Sequence, residues 1–408
     1  MESRAIKQIS VLMATVFVDM IGFTMVLPLL PFYATRLGAD PTLVGVLIAA
    51  HPFAQLAVSP FWGRLSDRYG RRPLILAGLI LSAAAYVIFG LAEAIWLLFA
   101  SRLVQGAGGG ITGVVQAYVA DAVEPEERTK ALGWLTAATS AGVMIGPASG
   151  SLATYIGPEG PGFLAAGLCI LNILFAWKWL PEPKRYSGGT AEMAVQAPRR
   201  SLRDSLWEVL RHPAAPVSSL IWVYAIGMMA FMAMNAVLAL YLKDSFGVTE
   251  KTIGYFYAYV GSISLVMRAL ILGPMVRRFG EIGVTRLGAA SLVLGLAGIP
   301  FTVGSLPLLG LVVLFVPVGT ALLFPATTSQ VSRLSSRSEV GQLLGVQQSF
   351  GGVSRMVAPL WAGFAYQRNF QYPFWMAAVL MMSVSFLTLR MGGNLKSKKT
   401  GDSPAFLS

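Results

Sequence analysis

Apolar runs of membrane-crossing length recur along this chain, separated by short polar or Gly/Pro-rich breaks. They lie near 9–33, 42–61, 73–91, 95–120, 129–156, 161–180, 217–240, 252–272, 283–303, 306–329, 343–364 and 373–390. A helix needs about 20 predominantly apolar residues to cross the hydrocarbon layer, and inside lipid it satisfies its own backbone hydrogen bonds. The pattern predicts an all-α membrane protein with twelve transmembrane helices and both termini on one side. The first run follows Arg4 and Lys7 and continues through Asp19 to Pro28 with no small-residue cleavage site, so it reads as a retained anchor.

Composition narrows the function classes. Of 408 residues, 55% are hydrophobic and 12% charged, about half the charged fraction of a soluble domain, which excludes a conventional soluble enzyme; no enzymatic activity is expected. A single cysteine, Cys169, and two histidines, His51 and His212, exclude a disulfide framework and a His/Cys metal site. No metal and no organic cofactor is expected. The formal net charge of +12 would suit nucleic acid only if the cations shared one surface, and here they are parcelled into loops. Placing the N-terminus in the cytoplasm puts 24 of the 31 Lys and Arg residues in inward segments, three within helices, and leaves Arg36, Lys243, Lys251 and Arg368 outside. The positive-inside rule then sets both termini in the cytoplasm of a cytoplasmic (inner) membrane protein.

The longest polar stretch falls at the midpoint, so the expected organisation is a six-helix bundle over 1–180, a cytoplasmic linker over 181–216, and a second six-helix bundle with a cytoplasmic tail over 217–408. The linker carries Lys184, Arg185, Arg199, Arg200, Arg203 and Arg211, and from Ser201 to Leu210 has Leu202, Leu206, Trp207 and Leu210 at helical spacing. That pattern predicts a short amphipathic helix lying on the membrane surface. The halves look like repeats. Gly63-Arg-Leu-Ser-Asp-Arg-Tyr-Gly70 after the second run corresponds to Gly273-Pro-Met-Val-Arg-Arg-Phe-Gly280 after the eighth, an offset of 210 residues, and Pro147 corresponds to Pro359 at an offset of 212. Six-helix units repeated in parallel orientation favour a transporter over a receptor or membrane enzyme.

These residues resemble the major facilitator superfamily and, within it, the twelve-span drug:proton antiporters. Gly63, Asp67, Arg68, Gly70, Arg71 and Arg72 are similar to its signature loop between helices 2 and 3. Arg102-Leu-Val-Gln-Gly106 resembles its helix 4 motif, and Gly142-Val-Met-Ile-Gly-Pro147-Ala-Ser-Gly150 its helix 5 antiporter motif. Asp19-Met-Ile-Gly22, with Pro28-Leu-Leu-Pro31, looks like the helix 1 motif of tetracycline and multidrug exporters. The resemblance implies two pseudo-symmetric bundles that alternate access to a central cavity, and a cytoplasmic gate in which Asp67 faces the N-terminal end of helix 11 and Asp121 joins the charge cluster. It implies that Gly142, Gly146, Pro147 and Gly150 lie between the two halves, and that Asp19 and Arg102 are neighbours.

Read from the residues alone, the same motifs have physical roles. Arg68, Arg71 and Arg72 surround Asp67 with positive charge that would hold it ionised and able to pair; the plainer alternative is a solvated loop that only fixes topology. The second copy has Arg277 where Asp67 stands, so one working latch is expected. Gly142, Gly146 and Gly150 at intervals of four bare one helix face, and Pro147 can bend the helix. Gly108, Gly110 and Gly113 formally match a dinucleotide fingerprint but lie inside a membrane span with no strand before them, so close helix packing is expected there.

Charge inside the hydrocarbon is costly. Asp19 is the only acid deep within any span, at about 15 Å by helical rise. It could take up a proton from one face and release it to the other, or form a static ion pair with Arg102. With no further acid in helices 3 or 9, this chain departs from the tetracycline exporters. Arg268 and Arg355 leave positive charge in the second half, which would suit an anionic group on a substrate; snorkelling of Arg268 to the surface and backbone bonding of Arg355 are the alternatives. Further pocket candidates are His51, Gln55, Gln116, Asn235, Tyr255, Tyr259, Gln347 and Gln348, with Met228, Met229, Met232 and Met234 as adaptable apolar lining or packing. The expected function is proton-coupled export of apolar or amphiphilic small molecules by a monomer driven by the proton gradient, its partners being substrate, protons and the bilayer. Alternatives are a carrier of an anionic lipid or organic acid, an exporter of an endogenous metabolite such as a sugar, and a membrane sensor on a transporter scaffold.

Overall fold

The computed structural model describes residues 3–124, 127–183, 202–336 and 339–397. Linker residues 184–201, with Lys184, Arg185, Arg199, Arg200 and Ser201, and the tail beyond 397 lie outside the described residues. The described chain is helical. Helix α1 (Ser3–Val26) stops where Pro28 has no N–H to give the preceding turn, and the crossing resumes as α2 (Leu30–Arg36). At the start of α3 (Pro41–Tyr69) the Leu43 N–H donates to the Asp40 carboxylate at 2.7 Å, and Pro41 sits where a missing N–H costs nothing. Gly70, at φ 101°, turns the chain into α4 (Arg71–Gly90). Then follow α5 (Ile95–Gly108), α6 (Ile111–Ala122), α7 (Arg128–Ala153) and α8 (Gly160–Trp179).

The second half of the sequence supplies α9 (Leu202–Arg211), α10 (Pro216–Phe246), α11 (Ile253–Val266), a π turn at Met267–Ile271, α12 (Leu272–Gly298), α13 (Leu306–Val313), α14 (Phe315–Leu334), α15 (Val340–Arg368) and α16 (Tyr372–Ser397). Eight helical stretches among the described residues are long and apolar enough to cross a membrane; one, Ile253–Thr302, holds two of the sequence spans because Gly280, at φ 68°, turns the chain within α12. The remaining spans correspond to α5 with α6, broken at Gly109 and Gly110, and to the glycine-rich α7 and α15.

By Cα proximity the chain forms two compact units whose membership differs from the sequence halves. Unit 1 is Met1–Gln196, Ala236–Gly261 and Pro359–Gln367; unit 2 is Ala197–Asn235, Ser262–Ala358 and Arg368–Ser408. Within unit 1, α1 packs on α7 and α8, α4 on α5 and α8, and α3 on α5. The two later segments are tied into it at the end that carries Arg36. A methyl group at Gly45 would strike the Pro359 carbonyl oxygen, and one at Gly363 the Pro41 carbonyl oxygen, so only bare backbone permits this approach. Tyr366 Oη donates to Asp244 at 2.8 Å, Lys243 Nζ to Thr35 Oγ1 at 2.9 Å, and Arg36 pairs with Glu250.

Within unit 2, α12 packs against α14 and α16. Helix α9 forms where its spacing predicts, and its apolar residues divide. Val209 is buried with Val217, Leu220, Ile221, Val331 and Val346, and Leu206 packs on that cluster, whereas Trp207 and Leu210 are exposed. The Trp222 indole donates to the Val209 carbonyl at 3.3 Å. Part of the face expected on the membrane surface is therefore committed to the protein core.

Candidate functional site

The candidate site has three parts in unit 1 and one in unit 2. The first is a buried polar centre built by α1, α4, α5 and α8. Asp19 is half-buried on α1, and Tyr86 of α4, 1% exposed, lies close enough to both Asp19 and Arg102 for their charges to act on its hydroxyl. The Tyr86 ring reaches α1 because Gly22 has no side chain: a methyl there would sit 3.1 Å from the hydroxyl. Asn172 of α8 donates to the Thr15 carbonyl at 2.9 Å, one turn before Asp19, and the Cys169 thiol lies within the field of the same carboxyl.

No ion pair joins Asp19 to Arg102. Arg102 is 1% exposed; its Nη2 lies 3.4 Å from Ser101 Oγ, and its Nε and Nη1 have no hydrogen-bond partner among the described residues. A guanidinium left that way is costly. Its remaining support is the Phe89 ring, 5.8 Å from centroid to guanidinium carbon. Tyr86 and Phe89 carried no sequence signal beyond being aromatic residues in an apolar run.

The second part is the loop after α3. Arg71 binds Asp67 at 2.7 Å, Asp121 at the end of α6 at 2.9 Å, and Ser66 Oγ at 2.6 Å. The backbone N–H groups of Arg71 and Arg72, unsatisfied at the start of α4, donate to the Glu182 carboxylate at 2.5 and 2.9 Å. An acid beyond α8 thus caps a helix whose own N-cap, Gly70, has no side chain to do so. Glu182 was missed in the sequence, where its only mark is an acid between Pro181 and Pro183. Arg72 Nη2 donates to the Trp177 carbonyl, Arg68 lies over the Tyr69 ring at 5.4 Å, and Gly63 is exposed with open space beside it.

The third part is α7. Its bare glycine face meets α1: a methyl at Gly142 would lie 2.6 Å from the Phe17 carbonyl oxygen, and those at Gly146 and Gly150 would collide with Thr24 Oγ1 and the Met25 carbonyl. The glycines therefore pack within the first bundle, which corrects their expected place between the two halves. Other residues of α7 meet the second half of the sequence. Ser151 Oγ accepts from the Gly254 N–H at 2.8 Å, and the Pro147 carbonyl and Met144 approach Gly254 and Gly261 of α11. The three-glycine fingerprint in the fourth span is also packing: methyls at Gly108 and Gly110 would press on Gly78 and Trp62, while Gly113 faces open space.

The pocket candidates separate between the units. In unit 1, His51 packs on Phe23 with ring centroids 5.0 Å apart, Gln55 donates to the Gly109 carbonyl at 2.9 Å, and Gln116, Tyr255 and Tyr259 are exposed. In unit 2, half-buried Arg355 lies beside Gly351, whose open face the Tyr224 ring fills, and Gln348 Nε2 lies 3.5 Å from Tyr224 Oη. Tyr224 also packs on Phe324, centroids 5.4 Å apart; neither ring stood out in the sequence. Gln347 is buried and accepts from Thr328 Oγ1 at 3.3 Å, Asn235 is half-buried, and Arg268 is exposed on the π turn. Met228 and Met234 are buried in the packing of α10.

An all-helical fold of this repeat architecture, with a charged turn after α3, defines a membrane transporter. The sequence model of the Major Facilitator Superfamily matches residues 12–320, and the chain belongs to that superfamily. It is 28% identical to multidrug resistance protein 2 of Bacillus subtilis (strain 168) over 389 residues, covering 93% of this chain and 94% of that protein. It is 27% identical to the class B tetracycline resistance protein of Escherichia coli over 372 residues, 90% of each. A solved structure described as a bacterial homolog to the human lysosomal transporter Spinster superposes with a TM-score of 0.75 at 14% identity, over 99% of this chain and all of that one.

Proposed function

We propose that this transporter is a proton-driven exporter of apolar or amphiphilic small molecules, acting as a monomer without a cofactor in the inner membrane with both termini cytoplasmic. The carrying observation is Asp19, the only acid deep within a span, held near Tyr86 and an unpaired Arg102 without an ion pair of its own. Charge in the hydrocarbon is costly, so a lone carboxyl there that exchanges a proton with one face and then the other would couple proton movement to the alternation. The relatives named for multidrug and tetracycline resistance support export of such compounds. In this orientation the Asp67 loop and Asp121 serve the cytoplasmic gate, and the Arg36 end faces outward.

The test is uphill transport in membrane vesicles with an imposed pH gradient. Asp19→Asn should abolish it while leaving a folded protein that still binds ligand, because the amide mimics the protonated carboxyl but releases nothing. Undiminished uphill transport by this variant would end the coupling reading.

Arg355 favours a second reading, a carrier of organic anions, because its guanidinium lies at the Gly351 face that the Tyr224 ring also fills, with no carboxylate paired to it among the described residues. Arg355→Ala should then weaken an anionic ligand by about tenfold or more and spare a cationic ligand of similar size. Equal losses for both ligands, with a lowered Tm, would make the residue structural.

A further inference from the structure

Two aromatic rings connect the buried cation of unit 1 to the ion pair at its Arg36 end. Arg102 stands over Phe89 at 5.8 Å. Phe89 packs on Tyr33 with centroids 4.9 Å apart at 39°. The Tyr33 ring carries the Arg36 guanidinium at 5.3 Å, and its hydroxyl donates to the Pro158 carbonyl, which pins the ring to the turn before α8. Arg36 in turn pairs with Glu250, which belongs to the second half of the sequence. Both rings are buried, at 1% and 6% exposure.

Each guanidinium in this stack is held by the negative face of a ring, and close-packed interiors switch between discrete arrangements rather than deforming smoothly. The Arg36–Glu250 contact joins the two halves of the sequence, and on the reading that this end is a gate it parts when the end opens. When it parts, Arg36 can leave Tyr33, and the support beneath Arg102 changes with it.

We propose that Phe89 and Tyr33 are positioning residues that couple the Arg102 guanidinium to the Arg36–Glu250 ion pair, so that losing either charge contact loosens the other. This rests on the reading that Arg102 belongs to the proton-coupling centre and that the Arg36 end is a gate. Proton release at the centre and closure of the outward end are then reciprocal effects of one stack.

The experiment uses the full chain in lipid nanodiscs, with spin labels at Glu93 on the turn after α4 and at Val248 on the turn after α10, both in unit 1. Glu250→Gln and Arg102→Gln should each raise the long-distance population about fivefold or more. In a Phe89→Leu background, Arg102→Gln should add no further shift, while Phe89→Tyr, which keeps the ring, should preserve the wild-type response. An unchanged distribution in Arg102→Gln, or an equal shift with and without the Phe89 ring, overturns the proposal. If Arg102→Gln does not fold, Arg102→Lys serves instead: it keeps the charge without the planar stack and should give a smaller shift that depends on the same ring. Failure of the coupling reading is distinguishable, because it appears as normal uphill transport in Arg102→Gln with the distance shift intact.

Discussion

The turn after α3 and the turn inside α12 stand 210 residues apart, share a left-handed glycine, and follow it with residues of opposite charge. Gly70 and Gly280 have φ of 101° and 68°. The next residue is Arg71 in one copy and Glu281 in the other. Arg71 pairs with Asp121 at the end of α6, and Glu281 pairs with Arg333 at the end of α14, at 3.2 Å. A serine hydroxyl joins each pair, Ser66 for Arg71 and Ser329 for Glu281. Each corner therefore carries an ion pair from the residue after its glycine to the end of a later helix, α6 or α14, while the sign is free. The second turn, expected to lack a working latch because Arg277 replaces Asp67, carries an inverted pair among other residues.

The corners differ in how firmly the pair is held. Arg71 has two carboxylates and a hydroxyl, and both Arg71 and Asp121 are shielded, at 13% and 25% side-chain exposure. Glu281 is shielded at 12%, but Arg333 is 73% exposed. Removing the central member of the first corner should have the larger effect. Arg71→Gln should cost about 2 kcal/mol, the range for hydrogen bonds to charged groups and for shielded partners left unpaired, and should lower Tm in a detergent melt. The loss has a second source, because Asp67 and Asp121 then repel each other unopposed. A Tm unchanged from wild type would make the Arg71 cluster a solvated topology signal.

The sequence disclosed one side of this comparison. Twelve runs and the Gly63–Gly70 spacing are local signals, dictated by hydrocarbon thickness and by the φ a turn needs, so helices and corners were legible together with Asp67, Arg71 and Asp121. The pairing of Glu281 with Arg333 joins residues far apart in the chain, and no local pattern marks either. Glu182 was hidden for the same reason, since a helix N-terminus capped from beyond α8 looks uncapped in one dimension. On α7 the spacing of Gly142, Gly146 and Gly150 announced a bare face without naming the neighbour, and the face turned out to meet α1. Asp19 and Arg102 were visible as costly charges. That Tyr86 lies within reach of both depends on the space left by Gly22, which only three-dimensional packing reveals.

The smaller effect belongs to the second corner. Glu281→Gln keeps the shape and the capacity to accept from Ser329, and it releases Arg333 to water that this side chain already meets. Exposed ion pairs contribute about 0–1 kcal/mol and weaken as salt rises. The substitution should therefore cost about 1 kcal/mol or less, and the difference from wild type should shrink between low and high ionic strength. Arg71→Gln should keep most of its cost at high salt, because Arg71 and Asp121 are shielded from the screening ions. Melts of both variants at two salt concentrations decide the matter. Equal, salt-independent losses would mean that the two corners are held alike and that exposure at Arg333 is irrelevant. A salt-sensitive loss at Glu281 beside a salt-resistant one at Arg71 would establish that the repeat conserves the contact and tunes its strength through burial.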